Sequence, residues 1–363
     1  MLRLLRGAHT SAPRLRCVLL NAGRLDYDGR LDFSRLSAVA DQVSRHEHTD
    51  HADEEAVLAR VASHNVVINK EMPLSAKLIR RFPPTVVLIV EAGTGHNNIA
   101  GAAARELGIA VTNLPAYSTE AMAHLAITFM LSLSCSLVPQ ARAMQAGPCS
   151  GVFSGRELLP RAVPSHHERC HLGSWPHFEL GGKTLGLVGG LGTIGKRVAA
   201  IAQALGMRVL ASSRSAPLGP RPDGIEVAAM ADLLARSDLV SLHAPLCDAT
   251  VGLIDAEAIG RMKPSAFLIN TARGALIDEP SLVEALRAQR IAGAALDVFG
   301  EGSAPPPALP ADSPLWSLDN VILTPHIGWQ RLKTRQRIID MCVENIEAFA
   351  KGRPINVVNA IFH

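Results

Sequence analysis

Residues Gly186 to Gly195 read G-L-V-G-G-L-G-T-I-G, and the rest of the chain is organised around them. Thr184, Leu185, Leu187 and Val188 make a short apolar run of the sort a parallel strand shows when both its faces are covered. Gly190, Gly192 and Gly195 then supply G-x-G-x-x-G. In this spacing Gly190 permits a tight turn, Gly192 lets backbone N–H groups approach a pyrophosphate, and Gly195 lets the following helix pack close to the strand. Ile194, Val198, Ile201 and Leu205 recur at helical spacing, so the positive end of a helix dipole faces the phosphates. Glycine-rich loops also occur as plain turns. The strand before this one and the helix after it favour dinucleotide binding.

At 363 residues the chain is long enough for two cores. A net charge of +3, with no basic block interleaved with aromatics, gives no nucleic-acid footprint, so small-molecule partners are expected. No apolar run reaches bilayer length. The six cysteines contain no C-x-x-C pair and read as reduced intracellular thiols. The cluster His166, His167, Glu168, Arg169, Cys170 and His171 matches no structural zinc spacing and reads as a surface loop, so no metal is expected. The first sixteen residues carry Arg3, Arg6, Arg14 and Arg16 with no acid. A disordered basic extension on a cytoplasmic protein is the expectation, with a mitochondrial transit segment as the alternative.

Apolar runs at Cys17 to Leu20, Val66 to Ile68, Val86 to Val90 and Ile109 to Thr112 alternate with helical stretches and predict the parallel strands of a first α/β unit. Gly93, Thr94 and Gly95 follow the third of them, where successive N–H groups can form a nest for a carboxylate or simply turn the chain. Ser118 and Thr119 open a helix whose Met122, Leu125, Ala126, Phe129, Met130 and Leu133 share one face, a core or dimer helix. Six strands then follow, at 184–188, 208–213, 239–243, 266–271, 294–298 and 321–324, matching a doubly wound sheet. A closing helix from Leu332 to Phe349 ends at Gly352 and Pro354 and returns to the first unit.

Three stations end the late strands, where open α/β sheets bind ligands. They are Asn270-Thr271-Ala272-Arg273-Gly274, Asp297-Val298-Phe299-Gly300-Glu301 and Thr324-Pro325-His326-Ile327-Gly328-Trp329. An Arg can grip a carboxylate bidentately, a His can give or take a proton on oxygen, and an acid beside that His would stabilise the imidazolium. Taken singly, each is better read as a surface charge or a loop histidine.

Read together with H-A-P-L at His243 to Leu246, M-K-P at Met262 to Pro264, I-N-T-A-R-G at Ile269 to Gly274, A-L-D-V-F at Ala295 to Phe299 and T-P-H-I-G-W at Thr324 to Trp329, the chain resembles the D-isomer-specific 2-hydroxyacid dehydrogenase family. Within it, the likeness is to the glycerate dehydrogenase or hydroxypyruvate/glyoxylate reductase branch. G-T-G-H-N-N-I at Gly93 to Ile99 and Y-S-T-E at Tyr117 to Glu120 extend it into the first half, from about Cys17 to Asn359. The resemblance implies an α/β fold, with a doubly wound Rossmann domain at 115–330 inserted into a smaller, discontinuous flavodoxin-like substrate domain at 17–114 and 331–363. It implies a substrate carboxylate held in the cleft by the Thr94 and Gly95 N–H groups and by Arg273, with His326 as acid/base and Asp297 near the nicotinamide carboxamide. Gly190, Gly192, Thr193, Ile194, Gly195, Ser213, Arg214, His243 and Thr271 would complete the coenzyme site. Trp329 would border the substrate or pack on a dimer mate, since family members are commonly homodimers.

Two departures stand out. The family's Glu partner of the His falls at Gly302 here, with Glu301 one place earlier; a one-residue loop adjustment would let Glu301 serve. The end of the second Rossmann strand, where NAD-specific folds carry an acid for the ribose 2′-OH, is Ser213 followed by Arg214, which favours NADP(H) with NAD(H) as the alternative. The expected activity is NAD(P)H-dependent reduction of hydroxypyruvate or glyoxylate to the D-2-hydroxy acid and its reverse. Another 2-hydroxy acid, or a catalytically impaired dinucleotide-sensing protein, remains an alternative at this point.

Overall fold

The computed structural model describes residues 14–145, 176–300 and 309–359. They divide into two units, 14–118 with 329–359, and 119–145 with 176–300 and 309–328. Glu301, Gly302 and the 166–171 cluster lie outside the described residues, as does most of the basic leader.

The first unit is built on five parallel strands, β1 (Arg16–Leu19), β2 (Gln42–Arg45), β3 (Val66–Asn69), β4 (Leu88–Glu91) and β5 (Ala110–Thr112). Their order is β2-β1-β3-β4-β5, the flavodoxin-like winding. Successive side chains of a strand point to opposite faces, and here both faces are covered. Cys17, Leu19, Val66, Ile68, Leu88 and Val90 pack with Ile338, Ile339, Cys342 and Ile346 of the helix Leu332–Ala350. Val18, Val67, Ile89 and Val111 face the helices Glu54–Val61, Ala76–Ile79 and Gly101–Glu106 through Val57, Val61, Leu78, Ile79, Ala103 and Ala104. The last helix is fastened by Arg335, 1% exposed, which donates to Leu25 O at 2.7 Å and to both Asp28 carboxylate oxygens at 2.9 and 2.6 Å. Strand β2, with the polar sequence Q-V-S-R on the sheet edge, has no apolar run to announce it and goes unread in the sequence.

The second unit carries β6 (Thr184–Val188), β7 (Arg208–Ser212), β8 (Gly219–Pro220), β9 (Ile225–Val227), β10 (Leu239–Leu242), β11 (Phe267–Asn270), β12 (Gly293–Leu296) and β13 (Val321–Leu323). The order is β13-β12-β11-β10-β6-β7-β9-β8, parallel except where β8 meets β9. Winding outward both ways from β6 is the Rossmann pattern, with one parallel strand added at the β13 edge. Six of these strands are legible in the sequence; β8 and β9, two and three residues long, are too short for an apolar run. The helix Thr119–Ser134 is a core helix of this unit, its Leu125, Phe129 and Leu133 packing with Leu185, Leu187 and Val198. Among the described residues no helix is long and apolar enough to cross a membrane.

Candidate active site

The glycine loop leaves β6 between its neighbours β7 and β10, the point where strand order reverses and where open α/β sheets bind ligands. The tight turn falls on Gly189, at φ 77°, one residue before the Gly190 of the sequence expectation; a Cβ there would lie 2.7 Å from Ala244 N. Gly190 and Gly195 are glycine for packing, since their Cβ atoms would lie 2.5 Å from Leu187 Cβ and from Gly190 O. Gly192 is different. A Cβ on it would meet only Gly189 O, at an ordinary 3.5 Å. It caps the N-terminus of the helix Thr193–Ala204 without a side-chain hydrogen bond, so the first amides of that helix, at Thr193 and Ile194, look into a cradle that a side chain would fill.

Just past β11, Thr271 is buried with its Oγ1 unpartnered among the described residues. His243 lies 3.0 Å from Ser241 Oγ through Nε2, and burial pushes its pKa down to about 4, so the ring is neutral at pH 7. Beyond β7, Ser213 Oγ accepts from the amides of Ser215 at 3.3 Å and Ala216 at 3.1 Å, and Arg214 is exposed. No carboxylate stands at this strand end. Orphan hydroxyl, open cradle and exposed cation suit a phosphate-bearing dinucleotide.

Adjacent strands β11, β12 and β13 deliver Arg273, Asp297 and His326 at their carboxyl ends. Arg273 is half-buried, its Nη1 donating to Ala272 O at 2.8 Å and its carbonyl accepting from Asn270 Nδ2 at 2.7 Å. The next residue must be Gly274, because a Cβ there would strike Phe299 C at 2.4 Å. Asp297 is fully buried. Its carboxylate accepts from Thr324 Oγ1 at 2.5 Å, Ile327 N at 2.8 Å and Gly328 N at 3.0 Å. Burial raises the Asp297 pKa, and these three donors oppose the rise. His326 sits in the clamped loop at φ 56°, a left-handed conformation uncommon outside glycine. Among the described residues no cluster of His, Cys, Asp or Glu is arranged to hold a metal ion.

In the first unit, Thr94 is exposed and Gly95 half-buried. Asn113 and Leu114 fix their loop, with Asn113 Nδ2 donating to Thr94 O at 2.7 Å and Leu114 N to Gly93 O at 2.9 Å. The amides of Gly93, Thr94 and Gly95 donate to no described group, the form of an anion nest. Trp329, 2% exposed, packs in the core of this unit with its ring 3.8 Å from Lys70 Nζ. Lys70 and its neighbour Glu91 were not singled out by motif; a lysine ending an apolar strand is the only trace they leave in the sequence.

Residues 158–328 match the family model described as D-isomer specific 2-hydroxyacid dehydrogenase, NAD binding domain. A hydroxypyruvate reductase of Blautia hydrogenotrophica is 32% identical over 331 residues, 91% of this chain and 96% of that protein. The chain belongs to the D-isomer specific 2-hydroxyacid dehydrogenase family. A glyoxylate reductase of Aeropyrum pernix is 38% identical over 278 residues, 76% of this chain and 77% of that one. Among solved structures, an acyclic imino acid reductase in complex with NADPH and D-Arg superposes with a TM-score of 0.76 at 25% identity, covering 94% of this chain and 99% of that one. As a member of this dehydrogenase family the protein is an NAD(P)-dependent oxidoreductase, and its coenzyme is a nicotinamide dinucleotide.

Proposed function

We propose that this dehydrogenase reduces hydroxypyruvate or glyoxylate to the D-2-hydroxy acid, and catalyses the reverse oxidation. The observation that carries the reading is the delivery of Arg273 and His326 by neighbouring strands, with the His326 loop clamped by Asp297. When bound, the nicotinamide supplies or accepts the hydride at C2. Arg273 grips the substrate carboxylate. In the first unit, which acts as the substrate domain, the Thr94 and Gly95 amides, which donate to no described group, are the ones offered to a carboxylate. His326 gives its proton to the carbonyl oxygen during reduction and takes it back during oxidation. Glu301, outside the described residues, is the acid proposed beside it.

The coenzyme rests on Gly190, Gly192, Thr193, Ile194, Gly195, His243, Thr271 and Asp297, the last acting through the loop that it ties. NADP(H) is preferred: the β7 end has no carboxylate to repel a 2′-phosphate and offers Arg214 to pair with it. We further propose a cytoplasmic homodimer. The test is loss of nicotinamide absorbance with NADPH and NADH, each against both 2-oxo acids, from pH 5 to 9. Faster turnover with NADPH supports the whole reading. Coenzyme binding without turnover of either acid at any pH rejects the substrate assignment, and equal or better use of NADH rejects the coenzyme preference.

A further inference from the structure

Lys70, at the carboxyl end of β3, is fully buried, which is costly for a cation unless it has a task or a counter-charge. Its Nζ lies 2.8 Å from Glu71 Oε1, 3.8 Å from the Trp329 ring centroid and 5.9 Å from that of Tyr117. Glu71 is held at φ 58° and is shared, its other oxygen lying 2.7 Å from Arg24 Nη2. The counter-charge is therefore divided between two cations. Glu91, whose carboxylate accepts from Glu71 N, Asn69 Nδ2 and Asn98 Nδ2, completes the group. Burial works against the Lys70 charge, but Glu71, Tyr117 and Glu91 outweigh it and raise the pKa, so the side chain stays an ammonium.

That ammonium lies under the nest. A Cβ on Gly93 would stand 3.4 Å from Glu91 Oε1 and 3.9 Å from Lys70 Nζ, so the ammonium and its buried acid both lie directly beneath the turn whose amides donate to no described group. We infer that Lys70 is a positioning residue for substrate, its buried ammonium, stacked on Trp329 and shared with Glu71, offsetting the Glu91 carboxylate beneath the Gly93–Gly95 nest so that the nest receives a second carboxylate, that of the substrate. The inference rests on the reading that this nest receives the substrate carboxylate. A fixed buried cation is little screened by salt and needs no reorganisation as the anion arrives, which makes it a better attractor than a mobile surface lysine.

The test separates charge from shape. Glyoxylate reduction is inhibited competitively with oxamate, an anion, and with the neutral 2-hydroxyacetamide, in wild type and in Lys70→Met, with coenzyme affinity as the control for folding. Removing the charge is expected to raise the oxamate inhibition constant and the glyoxylate KM roughly tenfold, leave kcat within threefold and leave the neutral amide within twofold. A parallel change for both inhibitors, or none for either, overturns the inference; Lys70→Gln serves if the Met variant does not fold. Thr94→Pro, which deletes one nest amide, distinguishes the two levels. If it weakens oxamate while Lys70→Met does not, the inference alone fails. If neither does, the nest is not the carboxylate site.

Discussion

His326 hangs from Asp297: its amide donates to the Asp297 carbonyl at 3.1 Å, while the Asp297 carboxylate holds the next two amides, Ile327 at 2.8 Å and Gly328 at 3.0 Å. The acid thus sets where the imidazole stands without touching it. Asp297→Asn keeps the shape but turns an NH2 toward at least one donor. A loss of about 2–3 kcal/mol in unfolding free energy is expected, with kcat falling about a hundredfold and coenzyme affinity changing less. Chemical denaturation and steady-state kinetics on one preparation check both; unaltered kcat would mean that the clamp is only structural.

Gly328 closes that loop against the helix Thr119–Ser134. A Cβ on it would lie 2.6 Å from Met122 Sδ and 3.1 Å from Asp297 Oδ2. Gly328→Ala should cost about 1–3 kcal/mol, and Met122→Ala on the same chain should recover part of it, because the far end of a flexible side chain is the main obstacle. A double-mutant cycle read by urea unfolding measures the coupling. Strict additivity would place the strain at Asp297 instead.

Glu91 sets a pH dependence of stability. Burial lifts its pKa to about 7, against the hydrogen bonds of Asn98, Glu71 and Asn69 and the nearby Lys70 charge. The folded protein therefore holds a proton that the unfolded chain releases near 4.5. Its contribution is present in full below that value, falls as pH rises to about 7, and is flat above; it amounts to at most about 3 kcal/mol. Thermal unfolding of wild type and Glu91→Gln between pH 4.5 and 8 should show a steeper decline in wild type. Parallel curves would remove Glu91 as the source.

Ser213→Asp should turn coenzyme preference toward NADH by tenfold or more. The new carboxylate can still accept from Ser215 N and Ala216 N, as Ser213 Oγ does, so the turn survives while a 2′-phosphate is repelled. The ratio of kcat/KM for the two coenzymes is the readout, and an unmoved ratio defeats the role given to this strand end.

What could be read in advance was local. The glycine loop, the I-N-T-A-R-G stretch and the T-P-H-I-G-W stretch each sit on a few consecutive residues at a strand end, so the strand pattern places them and the family resemblance gives them their roles. The G-x-G-x-x-G spacing points to Gly190 for the tight turn, one residue late, because the left-handed φ of Gly189 leaves no trace in the letters. Strands β2, β8 and β9 escaped because they are polar or very short. The resemblance sets Asp297 near the nicotinamide carboxamide but says nothing of its bonds to two backbone amides and one threonine, because amides leave no mark in a sequence. Lys70 gains its meaning from Trp329, Glu71 and Gly93, brought together by the fold from three stretches of the chain.

The anchoring of residues 332–350 in the first sheet has a consequence for how the molecule is made. The ribosome releases β1 to β5 early, yet one face of that sheet is completed by Ile338, Ile339, Cys342 and Ile346, and Arg335 cannot fasten Asp28 until the closing helix emerges. The whole second unit is translated in between and has its own core. The nascent chain therefore folds its middle before its beginning, and carries an uncovered apolar sheet for most of translation.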